Sequence, residues 1–419
     1  MKTLDNSPLR AVVIIGDEID RARAVSLCCQ LGIALEGWTA SGRTGVSLIR
    51  SLAVAPDLVV ADLRAPDMDG ADLIRELSTL KHHVRLIIAS GDCPRVQDTA
   101  LMLAAALDLQ GAAAVSGALS AASLRTAIDE SLASVARLAS VPPVRADRLR
   151  ATPPPDGIDI RGGLLRDEFE LYYQPKINLS DCKVRGYEAL IRWRHPRHGL
   201  LTPAHFLAQA EDAGLIELLT MKVLRMALEN SQSLRSAGVQ LPIAVNLSPL
   251  SLTNADLADQ IADAMRRSGL PPAAIAFEVT EHSEIADLGV ALRVLLKLRL
   301  QGHRLSLDDY GAGHASILQL SRIPFSELKM DGRLVHNAWK RPHLQPLLRQ
   351  AIESARLLGV TSVAEGIETQ QDWDFVRALG CDQGQGYLIA RPMPVSALAS
   401  WRPNAAALAG CPALARAAA

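Results

Sequence analysis

The chain has 419 residues, 49% of them hydrophobic and 21% charged. That balance excludes a disordered polymer, and the length requires two cores, one of them large enough to be a barrel. Lys and Arg number 44 against 45 Asp and Glu, so no global basic field exists to draw the protein onto DNA or acidic lipid. The balance holds in both parts, with 16 basic and 17 acidic residues up to residue 150 and 28 of each thereafter. Aromatic residues are less even: Trp38 is the only Phe, Tyr or Trp before Phe169, and the other fourteen follow, as expected of two differently built cores. Cys28, Cys29, Cys93, Cys182, Cys381 and Cys411 form no C-x-x-C pair, which favours reduced thiols over a disulfide framework or a zinc site. No apolar run approaches the roughly 18 residues needed to cross a bilayer, so a cytoplasmic protein with no membrane partner is expected.

In chain order, apolar runs at 11–15, 58–61 and 85–89, with a weaker fourth at 112–115, alternate with helical patterns. This predicts an α/β unit, a doubly wound parallel sheet whose ligands meet the carboxyl ends of the strands. Asp17 and Glu18 follow the first run, Asp62 the second and Ser90 the third. Carboxylates converging on one sheet edge repel one another unless a hard divalent cation neutralises them; the plainer alternative is acidic strand ends that are merely solvated. In Asp62-Leu-Arg-Ala-Pro-Asp-Met-Asp-Gly70, the Pro and Gly make a loop that leaves Asp62 exposed.

On these residues, the stretch from about 9 to 138 resembles the receiver domain of response regulators. The resemblance implies a flavodoxin-like fold in which Asp17, Glu18 and Asp62 hold Mg²⁺, Asp62 accepts a phosphoryl group from a histidine kinase, and Ser90 is the switch. Two marks of that family are missing. No Lys occurs between Lys81 and Lys176, although an active receiver carries one after its fifth strand, and Ala114-Val-Ser-Gly-Ala-Leu-Ser-Ala-Ala122 lacks the aromatic that reports phosphorylation. Arg125 is near but falls on the following helix. The expectation is a receiver degenerate in signalling that serves dimerisation or partner docking.

Pro142, Pro143, Pro153, Pro154 and Pro155 interrupt the next stretch, and proline neither continues a helix nor serves a central strand. The expected division is a receiver-like domain at 1–138, a Pro-rich linker at 139–160, a second domain at 161–402 and an Ala-rich tail at 403–419.

Within the second domain, apolar runs end repeatedly in polar residues: Val245-Asn246, Phe277-Glu278, Leu307-Asp308-Asp309, Leu328-Lys329 and Val363-Ala364-Glu365. Helical patterns at 255–267, 285–300 and 344–358 separate them. Repeated strand-helix units over about 250 residues predict a (β/α)₈ TIM-like barrel, with its site at the carboxyl ends of the strands. The polar residues then form one ring of carboxylates, an amide and a lysine, without His or Cys at ligand spacing, a set that selects Mg²⁺ or Mn²⁺ over zinc. Two such ions clamp the attacking and leaving oxygens of a phosphoryl displacement. Glu188 and Arg192 share a strand face by the two-residue period, an acid for a metal beside a fork for a phosphate.

Residues 161 to about 402 resemble the EAL domain, a family of cyclic di-GMP phosphodiesterases, on Glu188-Ala-Leu190 and a further ordered set. That set is Tyr172-Tyr-Gln-Pro175, Asn246-Leu-Ser248, Glu278-Val-Thr-Glu281, Asp308-Asp-Tyr-Gly-Ala-Gly313, Lys329-Met-Asp331, Glu365-Gly-Ile-Glu368 and Gln385-Gly-Tyr387. The resemblance implies that Glu188, Asn246, Glu278 and Asp308 hold one metal, while Asp308, Asp309 and Glu365 hold a second. It implies that Lys329 contacts the attacking water, that Gln385 helps to place it, and that Gln174 and Arg192 meet the substrate, although Gln174 equally suits strand-edge hydrogen bonding. Glu281 and Glu368 are expected to fix the loop after Asp309, although either also suits a helix N-terminus. That loop departs from the family pattern, Ala312, His314 and Ala315 replacing side chains that order it.

The expected activity is hydrolysis of cyclic di-GMP to linear pGpG, in a homodimer or higher homo-oligomer. A catalytically silent cyclic di-GMP receptor and a docking protein are the alternatives. No diguanylate cyclase motif and no helix-turn-helix segment is present in the sequence.

Overall fold

The structure is a computed structural model that describes residues 8–80, 84–89, 91, 94–107, 109, 111–115, 118–133, 158–280, 287–311 and 323–403. Ser90, Glu281, the altered loop from Ala312 to Ser316, nearly all of the linker and the tail from 404 onward lie outside the described residues. The chain divides into two compact units. One comprises Met1–Pro143 together with Asp287–Leu300 and Arg322–Pro324, and the other takes the remainder. No helix among the described residues is long and apolar enough to cross a membrane.

The first unit runs β1 (Arg10–Ile14), α1 (Glu18–Gln30), β2 (Ala34–Thr39), α2 (Gly42–Ser51), β3 (Leu58–Ala61), β4 (Arg64–Ala65) and β5 (Met68–Asp69). It continues through α3 (Gly70–Ser78), β6 (Arg85–Ile88), α4 (Pro94–Ala106), β7 (Ala113–Ala114) and α5 (Ala121–Ala133). The sheet is parallel in the order β2-β1-β3-β6-β7. Ala11–Ile14 of β1 and the whole of β3 are unbroken apolar runs because both of their faces are covered. Val12, Ile14, Val59 and Ala61 pack with α2, α3 and α4, whereas Val13, Leu58 and Val60 pack with α1 and α5. Along these strands the alternation sorts side chains between the two layers.

The second unit contains a closed ring of eight strands among the described residues: β8 (Phe169–Asn178), β9 (Val184–His195), β11 (Ile243–Leu247), β12 (Ile275–Thr280), β13 (Arg304–Tyr310), β14 (Glu327–Met330), β15 (Thr361–Ala364) and β16 (Gln383–Gly384). A short β10 (Gly199–Leu201) pairs on the outside of β9, and the helices α6 (Ile160–Leu165), α7 (Leu207–Asp212), α8 (Ile216–Ser236) and α9 (Leu257–Ser268) precede β12. The barrel expected from the sequence is present, with one difference. From β9 to β16 the pairings are parallel, but β8 runs antiparallel to both of its ring neighbours. A five-residue turn joins β8 to β9, and Asn178 closes it by accepting from the Ser180 and Asp181 N–H groups. So short a connection makes a hairpin, since a parallel pair needs a crossover of a dozen or more residues.

The helix between β12 and β13, Leu288–Leu300, belongs to the first unit rather than to the barrel. Cys28, Cys29 and Cys381 are free, but Cys182 is disulfide-bonded, which departs from the expectation of uniformly reduced thiols.

Candidate metal centre

The expected barrel ligands lie near or just beyond the carboxyl ends of the ring strands, except Glu188, which stands in the middle of the longer β9. Glu188 is on β9, Asn246 on β11, Glu278 on β12, Asp308 and Asp309 on β13, and Lys329 on β14; Glu365 follows β15 and Gln385 follows β16. Parallel register sets Asn246 opposite Glu278, and the antiparallel hairpin sets Gln174 opposite Glu188. Adjacent strand residues normally face opposite sides. At Asp308-Asp309 the register slips against β14, and Asp309 has a left-handed φ of 57°. That local turn brings carboxylate oxygens of Asp308, Asp309 and Glu365 within 4.8 Å of one another. A second trio, Glu188, Glu278 and Asp308, meets the same limit, so the two trios share Asp308.

Lys329 occupies the middle of this ring, fully buried. Its Nζ lies 2.7 Å from Glu278, 2.7 Å from Glu365, 2.9 Å from Asp308 and 3.5 Å from Glu188. One ammonium therefore faces four carboxylates. Burial and the neighbouring acids outweigh Lys329 at Glu278, pushing its carboxyl up to about 8, and burial likewise holds Glu365 well above the ordinary carboxyl value. Glu188 is held below its ordinary value: burial opposes ionisation, but Lys329, the Gln385 amide at 2.6 Å and the Asn246 amide at 3.0 Å outweigh it. Lys329 itself is raised well above its ordinary value, because the four acids outweigh its desolvation.

The negative charge that Lys329 leaves uncompensated, together with the buried and unpartnered Glu278 Oε1, fits hard divalent cations. The donor set is all oxygen, and the trios sharing Asp308 fit two ions side by side.

Two expected substrate contacts are placed differently from each other. Gln174 is buried, donating to the Ala390 carbonyl at 2.9 Å and accepting from Gln385 at 3.0 Å, so its amide is engaged within the protein. Arg192 is half-buried, stands over the Tyr172 ring at 5.8 Å and spends one N–H on the Ile191 carbonyl. Arg391 lies over the exposed Tyr387 ring at 4.4 Å, a second guanidinium that the sequence reading did not single out. Glu368 is exposed, and its backbone N–H donates to Asp372 at 3.4 Å.

A buried ion pair was also missed. Lys176 pairs with Glu327, which also accepts from Ser306 at 3.0 Å. They line a cavity of about 210 Å³ with Gly186, Ala244 and Ala276. The signal was available: each of these residues lies two positions along its strand from a ring residue, hence on the same face one layer down.

In the first unit, Asp62 follows β3 and its Oδ1 accepts the Arg64 N–H at 3.1 Å. Asp17 caps α1 by accepting from the Ile19 and Asp20 N–H groups, and Glu18 is exposed on its first turn. Among the described residues, Asp17, Glu18 and Asp62 are not drawn into a ligand-spaced set as the barrel acids are, because Asp17 is turned to its helix.

Residues 159–392 match the EAL domain family. The cyclic di-GMP phosphodiesterase RocR of Pseudomonas aeruginosa is 30% identical over 388 residues, which span 92% of this chain and 96% of that protein. The bifunctional diguanylate cyclase/cyclic di-GMP phosphodiesterase MucR of the same organism is 38% identical over 57% of this chain but only 35% of its own length. The structure of the PaMucR phosphodiesterase in complex with c-di-GMP superposes with a TM-score of 0.55 at 38% identity, covering 57% of this chain and 98% of that one. The matched span, the ring of eight strands and the acids at their ends agree, and the chain belongs to the EAL domain family.

Proposed function

We propose that the barrel hydrolyses one phosphodiester bond of cyclic di-GMP to give linear pGpG, using two Mg²⁺ or Mn²⁺ ions. The observation that carries this reading is the pair of carboxylate trios sharing Asp308 around the buried Lys329. Bound ions supply Lewis acidity and make water acidic enough to ionise near neutral pH. Glu188, Asn246, Glu278 and Asp308 hold the first, and Asp308, Asp309 and Glu365 the second.

The chain's own groups do the rest. Lys329 presents an ammonium to the attacking water and to the charge that develops on the phosphate. Gln385 donates to Glu188 and fixes its orientation, while Gln174 fixes Gln385. Arg192 offers its remaining N–H groups to a phosphate. Residues 1–138 form a receiver-like regulatory or docking unit in this reading, and the chain assembles as a homodimer or higher oligomer.

The test is incubation of purified protein with cyclic di-GMP and Mg²⁺ or Mn²⁺, looking for pGpG, with Glu188→Ala as control. Binding without turnover would sink the enzyme reading in favour of a receptor. Turnover that survives Glu188→Ala would sink the ligand assignment.

A further inference from the structure

The first unit is closed by a helix from the far half of the sequence. α10 (Leu288–Leu300) packs against α3 and α4, and its Leu296 is fully buried in the core those helices share with the sheet. Leu300 adds a partly buried contact. Ala291, Leu292, Val294, Leu295 and Leu298 are also buried, so apolar residues cover more of the helix than the single stripe of a surface helix.

Into this apolar setting α10 carries two cations. The Lys297 side chain is 2% exposed; its Nζ lies 2.9 Å from Asp72 and 3.4 Å from Asp69. Arg293 meets Asp72 at 2.7 Å, and Arg75 stands 3.8 Å from the same carboxylate. A lysine so deeply buried persists only because carboxylates face it.

Those carboxylates belong to the segment that begins at Asp62. The Arg64 N–H donates to Asp62, Arg64 pairs across the β4–β5 hairpin with Asp69, and Asp69 caps α3 by accepting the Asp72 N–H at 2.9 Å. Lys297 is therefore reached from Asp62 through one hairpin. At its other end, α10 runs within four residues of β13, which carries Asp308 and Asp309.

We propose that the α3–α4 face, with Asp69 and Asp72 as its charged centre, is the output surface of the receiver-like unit, and that its occupant is the chain's own α10. The ion pairs hold α10 in place, and a change in the Asp62 loop alters the tension on the strand that bears Asp308. The kinetic consequence rests on the phosphodiesterase reading; the docking does not.

The test uses the full chain with Lys297→Met, Asp72→Asn and both together. Amide hydrogen exchange in α10 and α3 is expected to accelerate about tenfold or more in each single variant, with α1 and α5 unchanged. kcat is expected to fall about fivefold with KM held within about twofold. The double variant should match the worse single one, because the two residues act as a unit. Wild-type exchange in α10, or additive effects in the double variant, overturns the proposal. If Lys297→Met accelerates α1 and α5 as well, the unit has unfolded and Lys297→Arg becomes the deciding variant: retained protection in α10 supports the charge pairing, and lost protection overturns it. A chain that turns over no substrate yet shows the exchange pattern rejects the phosphodiesterase reading alone.

Discussion

Lys329 Nζ lies 2.7 Å from Glu278 Oε2, and neither side chain is reached by solvent. A buried ammonium against a buried carboxylate is costly to break from one side. Lys329→Met is therefore expected to destabilise the metal-free chain by about 3–5 kcal/mol, since four acids lose their common partner. Mn²⁺ should recover much of the loss in melting temperature while kcat stays at least about 100-fold down. A melting temperature indifferent to both the substitution and Mn²⁺ would contradict the arrangement.

The acids also set a pH dependence. Burial raises the Glu278 carboxyl to about 8 and raises Glu365, so the folded metal-free chain keeps protons that the unfolded chain releases above about pH 4.5. Stability falls as pH rises through that interval. Burial lowers His195 and His303, and these give the opposite slope below about pH 6.5, which leaves about pH 7 to 8.5 as the clean window. Melting in chelator should drop across it, and the gain on adding Mn²⁺ should grow. A flat profile in wild type, or an undiminished slope in Glu278→Gln, would refute the attribution.

Gln174 spends its amide on Ala390 and Gln385, so its removal acts through Gln385 and Glu188. Gln174→Ala is expected to lower kcat about tenfold and to leave KM within about threefold. The opposite split, a raised KM at unchanged kcat, would return Gln174 to direct substrate contact.

Gly366 follows Glu365 with φ of 64°, and an added Cβ would stand 2.8 Å from the Gly332 Cα. Gly366→Ala should cost about 1–3 kcal/mol and displace Glu365, seen as weaker Mn²⁺ binding by calorimetry. At Gly332 the nearest atom would be 3.3 Å away and φ is ordinary, so Gly332→Ala should be milder. Equal effects would deny Gly366 its special place.

Much of the metal centre was legible because strand ends in a barrel converge, so a polar residue closing each apolar run has one place to go. Neither the reversal of β8 nor the role of α10 could be read in that way. A two-residue period is the same in either direction, and the hairpin depends on the turn closed by Asn178. α10 reads as an ordinary crossover helix, and Arg293 and Lys297 within its apolar run were the hints of a second partner. β2 escaped notice because, at the sheet edge, Ala34–Thr39 is only partly covered and carries Glu36 and Gly37.

The reversed first strand decides where the incoming polypeptide reaches the barrel. With eight strands in one sense, the upstream segment would arrive at the floor, opposite the acids. Because β8 points the other way, Phe169 begins at the rim, and the helix Ile160–Leu165 before it hands the chain over on the reacting side. Insertions or deletions near residue 166 therefore fall on the end of the barrel that carries the acids and not on its floor.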